Sequence, residues 1–327
     1  MDNLIKYSLL AILCYFFLSL TKVLSQRFDL FDIPNTQKIH KIKTPNLGGL
    51  ALIPYVIYIS YNFELVEEIQ NTFYLFIIVV LIGLIDDIKN IKPYYKLLAL
   101  LIPILIFTKN IAEVNSLGNY NSFNLNLGSY SFIFTILCIF LLTNAFNYID
   151  GIDGLLAINI IISLVFFLFL NFNEHNLFLC FIIFLIIYLL FNFNILKIFP
   201  KLFIGDSGSL GFGFLISSFL IIFTQENYSL HPSVVIWFVA FVVYEFLSIN
   251  IIRIKLKKNI FKRDLNFIFN LLGKNYSNKK SLFICSILHF CLCSISLFIY
   301  YFEIYLFSLI LFFILFFVYL VFRFKQI

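Results

Sequence analysis

The chain has 327 residues, of which 62% are hydrophobic and only 12% charged, whereas a soluble domain is roughly 45–50% apolar and about 25% charged. That balance excludes a soluble globular protein, because so much apolar surface needs lipid as its solvent. The net charge of +6 comes with no basic run interleaved with aromatics, which excludes a nucleic-acid binder and assigns the basic residues to a membrane surface.

Taken in chain order, the apolar runs predict an all-α, polytopic membrane protein forming a single integral membrane domain over 1–327. Eleven spans are expected, at approximately 4–25, 47–63, 70–86, 93–109, 129–147, 154–171, 176–194, 207–224, 232–252, 281–300 and 303–322. The first run has no small-residue cleavage site and passes into Thr21 and Lys22, so it reads as a span and not a leader. The second is weakened as a helix by Gly48, Gly49 and Pro54. The stretch 115–130, rich in Asn, Ser and Gly around Phe123, Leu125 and Leu127, predicts a small hairpin. Cys14, Cys138, Cys180, Cys285, Cys291 and Cys293 all lie in apolar segments without a Cys-x-x-Cys pair and read as small hydrophobes.

Orientation follows from lysine and arginine. With the N-terminus outside, every basic residue except Lys6 and Lys109 falls inside, nine of them in the long loop after span nine. On this topology five aspartates share the cytoplasmic edge. Asp86 and Asp87 close span three; Asp150 and Asp153 follow span five in Asn144-Ala-Phe-Asn-Tyr-Ile-Asp-Gly-Ile-Asp-Gly154; Asp206 opens span eight in Phe203-Ile-Gly-Asp-Ser-Gly-Ser209. Charge beside hydrocarbon is costly and marks function. Adjacent carboxylates repel unless a cation sits between them, and hard oxygen ligands without a His or Cys cluster suit magnesium, which completes its shell with water and substrate phosphate. Asp150 and Asp153 are expected to share one face of a helical turn, and the amides at the start of span eight to attract an anion. Lys38, His40 and Lys96 are the basic partners for a phosphate. Each cluster alone has a plainer reading as a cap or turn; three on one face point to a phosphate-handling, magnesium-binding site. A transporter is the competing class, but its charges belong near the midplane and often come with internal repeats. Here they gather at one edge and no repeat is visible.

In order along the chain, these motifs resemble the polyprenyl-phosphate N-acetylhexosamine-1-phosphate transferases over residues 29 to 270. Asp32-Ile-Pro-Asn-Thr-Gln-Lys-Ile-His40 with Thr44-Pro-Asn-Leu-Gly-Gly49 is similar to the family's first cytoplasmic motif. Gly83-Leu-Ile-Asp-Asp87 with Lys96 is similar to its aspartate pair, Asn144 to Gly154 to its nucleotide-binding motif, and Phe191-Asn-Phe193 with Phe203-Ile-Gly-Asp-Ser-Gly-Ser-Leu210 to the next. The resemblance implies a membrane enzyme of the bacterial inner membrane with cytoplasmic active-site loops. Polyprenyl (undecaprenyl) phosphate would attack a UDP-N-acetyl-sugar, releasing UMP and starting a lipid-linked envelope glycan. It implies Mg2+ as cofactor, with Mn2+ as a substitute, and a homodimer as an allowed assembly. Asp86, Asp87 and Asp206 match its catalytic and metal positions. Lys38, His40, Lys96, Asn144, Asn147, Asp150, Asp153 and Ser207 match its substrate-side positions.

Asn-Tyr-Ile-Asp-Gly-Ile-Asp-Gly and Gly-Asp-Ser-Gly-Ser are closer to the branch that initiates surface polysaccharides. The branch that uses UDP-N-acetylmuramoyl-pentapeptide has threonine in both motifs and is the alternative. The family's His-rich motif in the last large loop is replaced by Arg263-Asp-Leu-Asn-Phe-Ile-Phe-Asn-Leu-Leu-Gly273, Gln37 stands where a basic residue is usual, and Glu245 where an aspartate is frequent. These departures raise a further alternative, an inactive relative kept as a scaffold, and point to a different UDP-amino sugar.

Overall fold

The computed structural model describes residues 2–33, 43–120, 123–170, 174–195, 200–225, 230–259 and 265–326. Lys38 and His40 lie outside them. The described chain is a helical bundle: α1 (Asp2–Arg27), α2 (Leu52–Asn62), α3 (Glu67–Lys89), α4 (Pro93–Asn110), α5 (Ser131–Ile149), α6 (Leu155–Leu168), α7 (His175–Asn192), α8 (Gly205–Ile222), α9 (Pro232–Val235), α10 (Ala240–Lys255), α11 (Ile268–Asn275), α12 (Asn278–Phe302) and α13 (Tyr305–Lys325). Two small antiparallel pairs join them, β1 (Phe31–Asp32) with β2 (Thr44–Pro45), and β3 (Ser116–Asn119) with β4 (Asn124–Asn126).

Each expected span has a helix. Among the described residues eight helical stretches are long and apolar enough to cross a membrane, α9 and α10 joining through a 3-10 turn into one, Pro232–Lys255. The remaining three expected spans fall on α2, α4 and α6. Glycines 48 and 49 are taken up by a 3-10 turn, leaving α2 only 11 residues. α6, of 14 residues, begins at Gly154 (φ 81°) and is short for a full crossing. α4 carries Pro103 inside it. The hairpin expected at 115–130 is β3–β4. All six cysteines are free and lie in helices.

α8 is the axis of the bundle, buried along nearly its whole length and wedged against α3 and α5. Its run Gly-Asp-Ser-Gly-Ser-Leu-Gly-Phe-Gly keeps side chains small, so backbones approach closely, as membrane helices require. Gly83 is the partner position on α3: a Cβ there would lie 2.5 Å from Ser207 Cα. This contact brings the C-terminal end of α3 and the N-terminal end of α8 to one end of the bundle. At the opposite end the β3–β4 hairpin is pinned by His231, whose ring lies flat on Tyr305 (centroids 3.9 Å apart) and whose Nε2 is 3.1 Å from the Asn119 carbonyl oxygen. Burial lowers the pKa of His231 from its usual value.

Candidate active site

Local rules at the end of α3 explain why the two aspartates sit where they do. Asn90 takes a left-handed conformation (φ 47°) and returns its N–H to the Asp86 carbonyl at 2.8 Å, closing the helix; Pro93 then opens α4 at its first position. Lys96 therefore lies one turn into α4, facing back toward Asp86. Consecutive helical side chains diverge by about 100°, so the adjacent aspartates address different partners.

Asp87 faces α8. Its Oδ1 accepts from Asp206 N at 2.8 Å and from Asn46 Nδ2 at 3.0 Å, and its Oδ2 from Ser207 N at 3.0 Å. The amides expected to attract an anion do so, and the anion is this carboxylate. Gly205 makes the approach feasible: it sits at φ 74°, and a Cβ there would meet Asp87 Oδ2 and the Asn46 carbonyl oxygen, each at 2.6 Å. The Asn46 loop is held in turn by an extended ladder, with Phe203 N donating to Pro45 O (2.8 Å), Gly48 N to Phe203 O (2.9 Å) and Gly49 N to Ile204 O (2.7 Å). Two sequence motifs about 150 residues apart thereby form one unit.

Asp86 faces α4 and the mouth. Its Oδ1 accepts from Ile91 N at 2.8 Å and its Oδ2 lies 2.9 Å from Lys96 Nζ. The same ammonium is 2.7 Å from Asp206 Oδ2. Asp206 Oδ1 accepts from Asn147 Nδ2 at 3.1 Å, and Asn147 also donates to Ser209 Oγ at 2.8 Å. Two carboxylates of separate helices thus converge on one cation, with the Asp206 side chain 35% exposed and Lys96 15%.

The other candidates divide. Asp153 pairs with Lys201 at 2.6 Å, half-exposed beside the Phe203 ring. Their spacing predicts that Asp150 and Asp153 share a helical face; they do not, because α5 stops at Ile149 and Gly151 and Gly154 shape a non-helical turn between α5 and α6. Asn144 returns its amide to Phe140 O within α5 at 2.7 Å. The Ser207 side chain is fully buried, its hydroxyl 3.3 Å from Ile204 O, and it adjoins Asp87 together with its own backbone N–H. Asn46, Lys201 and Ser209 were not singled out from sequence. Asn46 lies within Thr44-Pro-Asn-Leu-Gly-Gly49, and its role needs the fold to bring it to Asp87.

Among the described residues no group of three or more His, Cys, Asp or Glu side chains is arranged to hold a metal ion. The pair Asp86 and Asp206 nevertheless fits magnesium, which takes one or two carboxylates and completes its shell from water and phosphate. Their two oxygens already share one ammonium, so the space between them favours positive charge. Asp87, with three donors on its oxygens, is the least available of the three.

Residues 70–224 match the model of glycosyl transferase family 4, a stretch that holds the aspartate pair, Lys96, the Asn144–Gly154 motif and Asp206. The chain is 26% identical over 282 residues to an undecaprenyl-phosphate alpha-N-acetylglucosaminyl 1-phosphate transferase of Thermotoga maritima, covering 84% of this chain and 83% of that protein. It is 26% identical over 280 residues to the protein of the same name from Escherichia coli K12, covering 78% and 72%. A phospho-N-acetylmuramoyl-pentapeptide-transferase of Clostridium beijerinckii is 34% identical over 106 residues, 32% of each chain.

Proposed function

As a membrane enzyme of glycosyl transferase family 4, this chain, we propose, moves a sugar 1-phosphate, an N-acetylhexosamine 1-phosphate, from a UDP-sugar to undecaprenyl phosphate. The observation that carries this reading is the convergence of Asp86 and Asp206 on Lys96 within the matched stretch. The near full-length similarity to N-acetylglucosaminyl 1-phosphate transferases supports the donor class. The site faces the cytoplasm, where basic residues concentrate and nucleotide sugars occur. The reading is tested by UMP release in membranes expressing the chain, given UDP-N-acetylglucosamine, undecaprenyl phosphate and Mg2+. Release dependent on all three is expected; no UMP from any UDP-amino sugar would overturn it. The local 34% identity keeps the muramoyl-pentapeptide donor as a second reading, and it would be favoured if only that UDP-sugar released UMP.

Asp86 and Asp206 would hold magnesium, which supplies neutralisation of the charge gathering on the diphosphate. Lys96 shares that task at the same carboxylates. Asn147 fixes the Asp206 rotamer, and Asp87 fixes the position of α8. Lys201, beside Asp153, adds positive charge on the nucleotide side. In the reaction a lipid phosphate oxygen bonds to the sugar-bearing β-phosphorus, the bond from that phosphorus to the bridging oxygen breaks, and UMP leaves with the electron pair.

The attack is direct. A phosphate monoester has its second pKa at about 6, so it is largely dianionic at pH 7 and hardly needs a base. Both candidate carboxylate nucleophiles are engaged: Asp87 by three N–H donors, Asp86 by Ile91 N and Lys96. Purified enzyme given UDP-sugar and Mg2+ without lipid phosphate is therefore expected to release no burst of UMP. A burst equal to the enzyme concentration, with label retained on protein, would establish an aspartyl-phosphate route instead.

A further inference from the structure

Far from the carboxylate pair in sequence, the last turn of α13 carries a buried arginine that the transferase chemistry does not use. Arg323 is 0% exposed and Glu245, on α10, is 2% exposed. Arg323 Nε donates to Glu245 Oε2 at 3.0 Å and Nη2 to Glu245 Oε1 at 3.2 Å, and Nη2 also donates to the Asn266 carbonyl oxygen. The same carboxylate accepts the Tyr319 hydroxyl at 2.6 Å and, at 2.6 Å, the N–H of Ile268, the first residue of α11. Two transmembrane helices thus grip the loop at the start of α11, through its backbone.

A clamp of this kind is a poor way to stabilise a bundle. Desolvating an ion pair consumes most of its Coulomb energy, and apolar side chains of similar volume pack as well or better. What ionic geometry does supply is position. α11 carries Phe269, whose ring seals against the turn holding Asp150 and Asp153: a Cβ at Gly151 would fall 2.2 Å from it. Phe267 stacks on Phe269 with centroids 5.2 Å apart and meets Tyr148 edge-on at 5.8 Å. The buried Arg253 guanidinium lies against both Tyr148 and Phe267, at 5.4 and 5.5 Å. Hence an unbroken line of contacts runs from Arg323 through α11 to the Tyr148–Asp153 segment.

We propose that Arg323 is a positioning residue for the nucleotide-sugar side of the site, acting through Glu245 and α11 to hold the 150–154 turn in its binding geometry. This rests on the transferase reading. Resting on a clamp and not on packing, the effect must show as weaker nucleotide-sugar binding with lipid-phosphate binding spared, since Asp86 and Lys96 are anchored independently by α3 and α4, and the Asp206 backbone by its bond to Asp87.

Steady-state kinetics on the full chain test this, with UDP-sugar and undecaprenyl phosphate varied separately. Arg323→Met is expected to raise the UDP-sugar KM by about tenfold or more, with the lipid-phosphate KM within about twofold, and Arg323→Lys to recover part of the loss. Loss of folded protein alone would lower apparent kcat and leave both KM values unmoved, and that result overturns the proposal. Should Arg323→Met fail to accumulate, Tyr319→Phe keeps the ion pair and removes one bond to Glu245; a rise of about twofold to fivefold in the UDP-sugar KM alone is expected, and an unchanged KM overturns the proposal equally. Wild-type chain that releases no UMP overturns the functional reading itself, a result distinct from active wild type with unmoved variants.

Discussion

Asp206→Asn is expected to lower turnover by about 10³-fold while leaving the protein folded, the scale on which removing preorganised charge stabilisation acts. The substitution changes one oxygen to NH2 and nothing in the backbone. Asp206 N still donates to Asp87, so the junction of α3 and α8 survives, and the amide oxygen still accepts from Asn147. What disappears is one of the two charges that meet at Lys96, and with it half of the carboxylate pair proposed to hold magnesium. The lysine ammonium then faces a neutral amide NH2 or relies on Asp86 alone. The check is the UMP assay on purified variant across Mg2+ concentrations, beside its thermal midpoint in detergent. A midpoint within a few degrees of wild type and a large rate loss are expected together. An active variant with an unchanged Mg2+ requirement would remove Asp206 from the metal and reaction roles.

The parts of this arrangement that were legible in the sequence share a physical cause: charge at the border of hydrocarbon is expensive enough to stand out. Asp86, Asp87, Asp150, Asp153 and Asp206 are visible because long apolar runs surround them, and hydropathy alone located the apolar helices. Helix lengths were less legible, since Gly48, Gly49 and Gly154 shorten α2 and α6 through backbone conformations that a hydropathy window does not register. Which aspartate does what was not legible at all. Asp86 and Asp87 are chemically identical neighbours, and only the meeting of α3 with α8 and α4 separates a capping carboxylate from a cation-facing one. α11 escaped for another reason: eight residues inside a polar, basic loop give too few turns for a period to declare itself. Its anchors, Glu245, Tyr319 and Arg323, sit in or beside apolar runs far away in sequence, so nothing local announces that they meet.

Asp87→Asn is expected to fail differently from Asp206→Asn, and more completely. Asp87 accepts three N–H groups, two of them the second and third amides of α8 and one the side chain of Asn46. Asparagine offers one acceptor oxygen, and its NH2 must face a donor that has no other partner. Bonds from donors to an ionised acceptor are worth about 1.5–3 kcal/mol each, and an unsatisfied partly buried donor adds its own desolvation cost, so a destabilisation of about 3 kcal/mol or more is expected. The loss also reaches the site, because the α8 N-terminus is what carries Asp206, and Gly205 at φ 74° has no side chain to hold it otherwise. The variant should therefore show a depressed thermal midpoint together with lost turnover, and Mg2+ should restore neither. Measuring both variants in one detergent separates the two roles. If Asp87→Asn keeps the wild-type midpoint and loses only activity, Asp87 acts on substrate or metal directly and is not the cap that fixes α8.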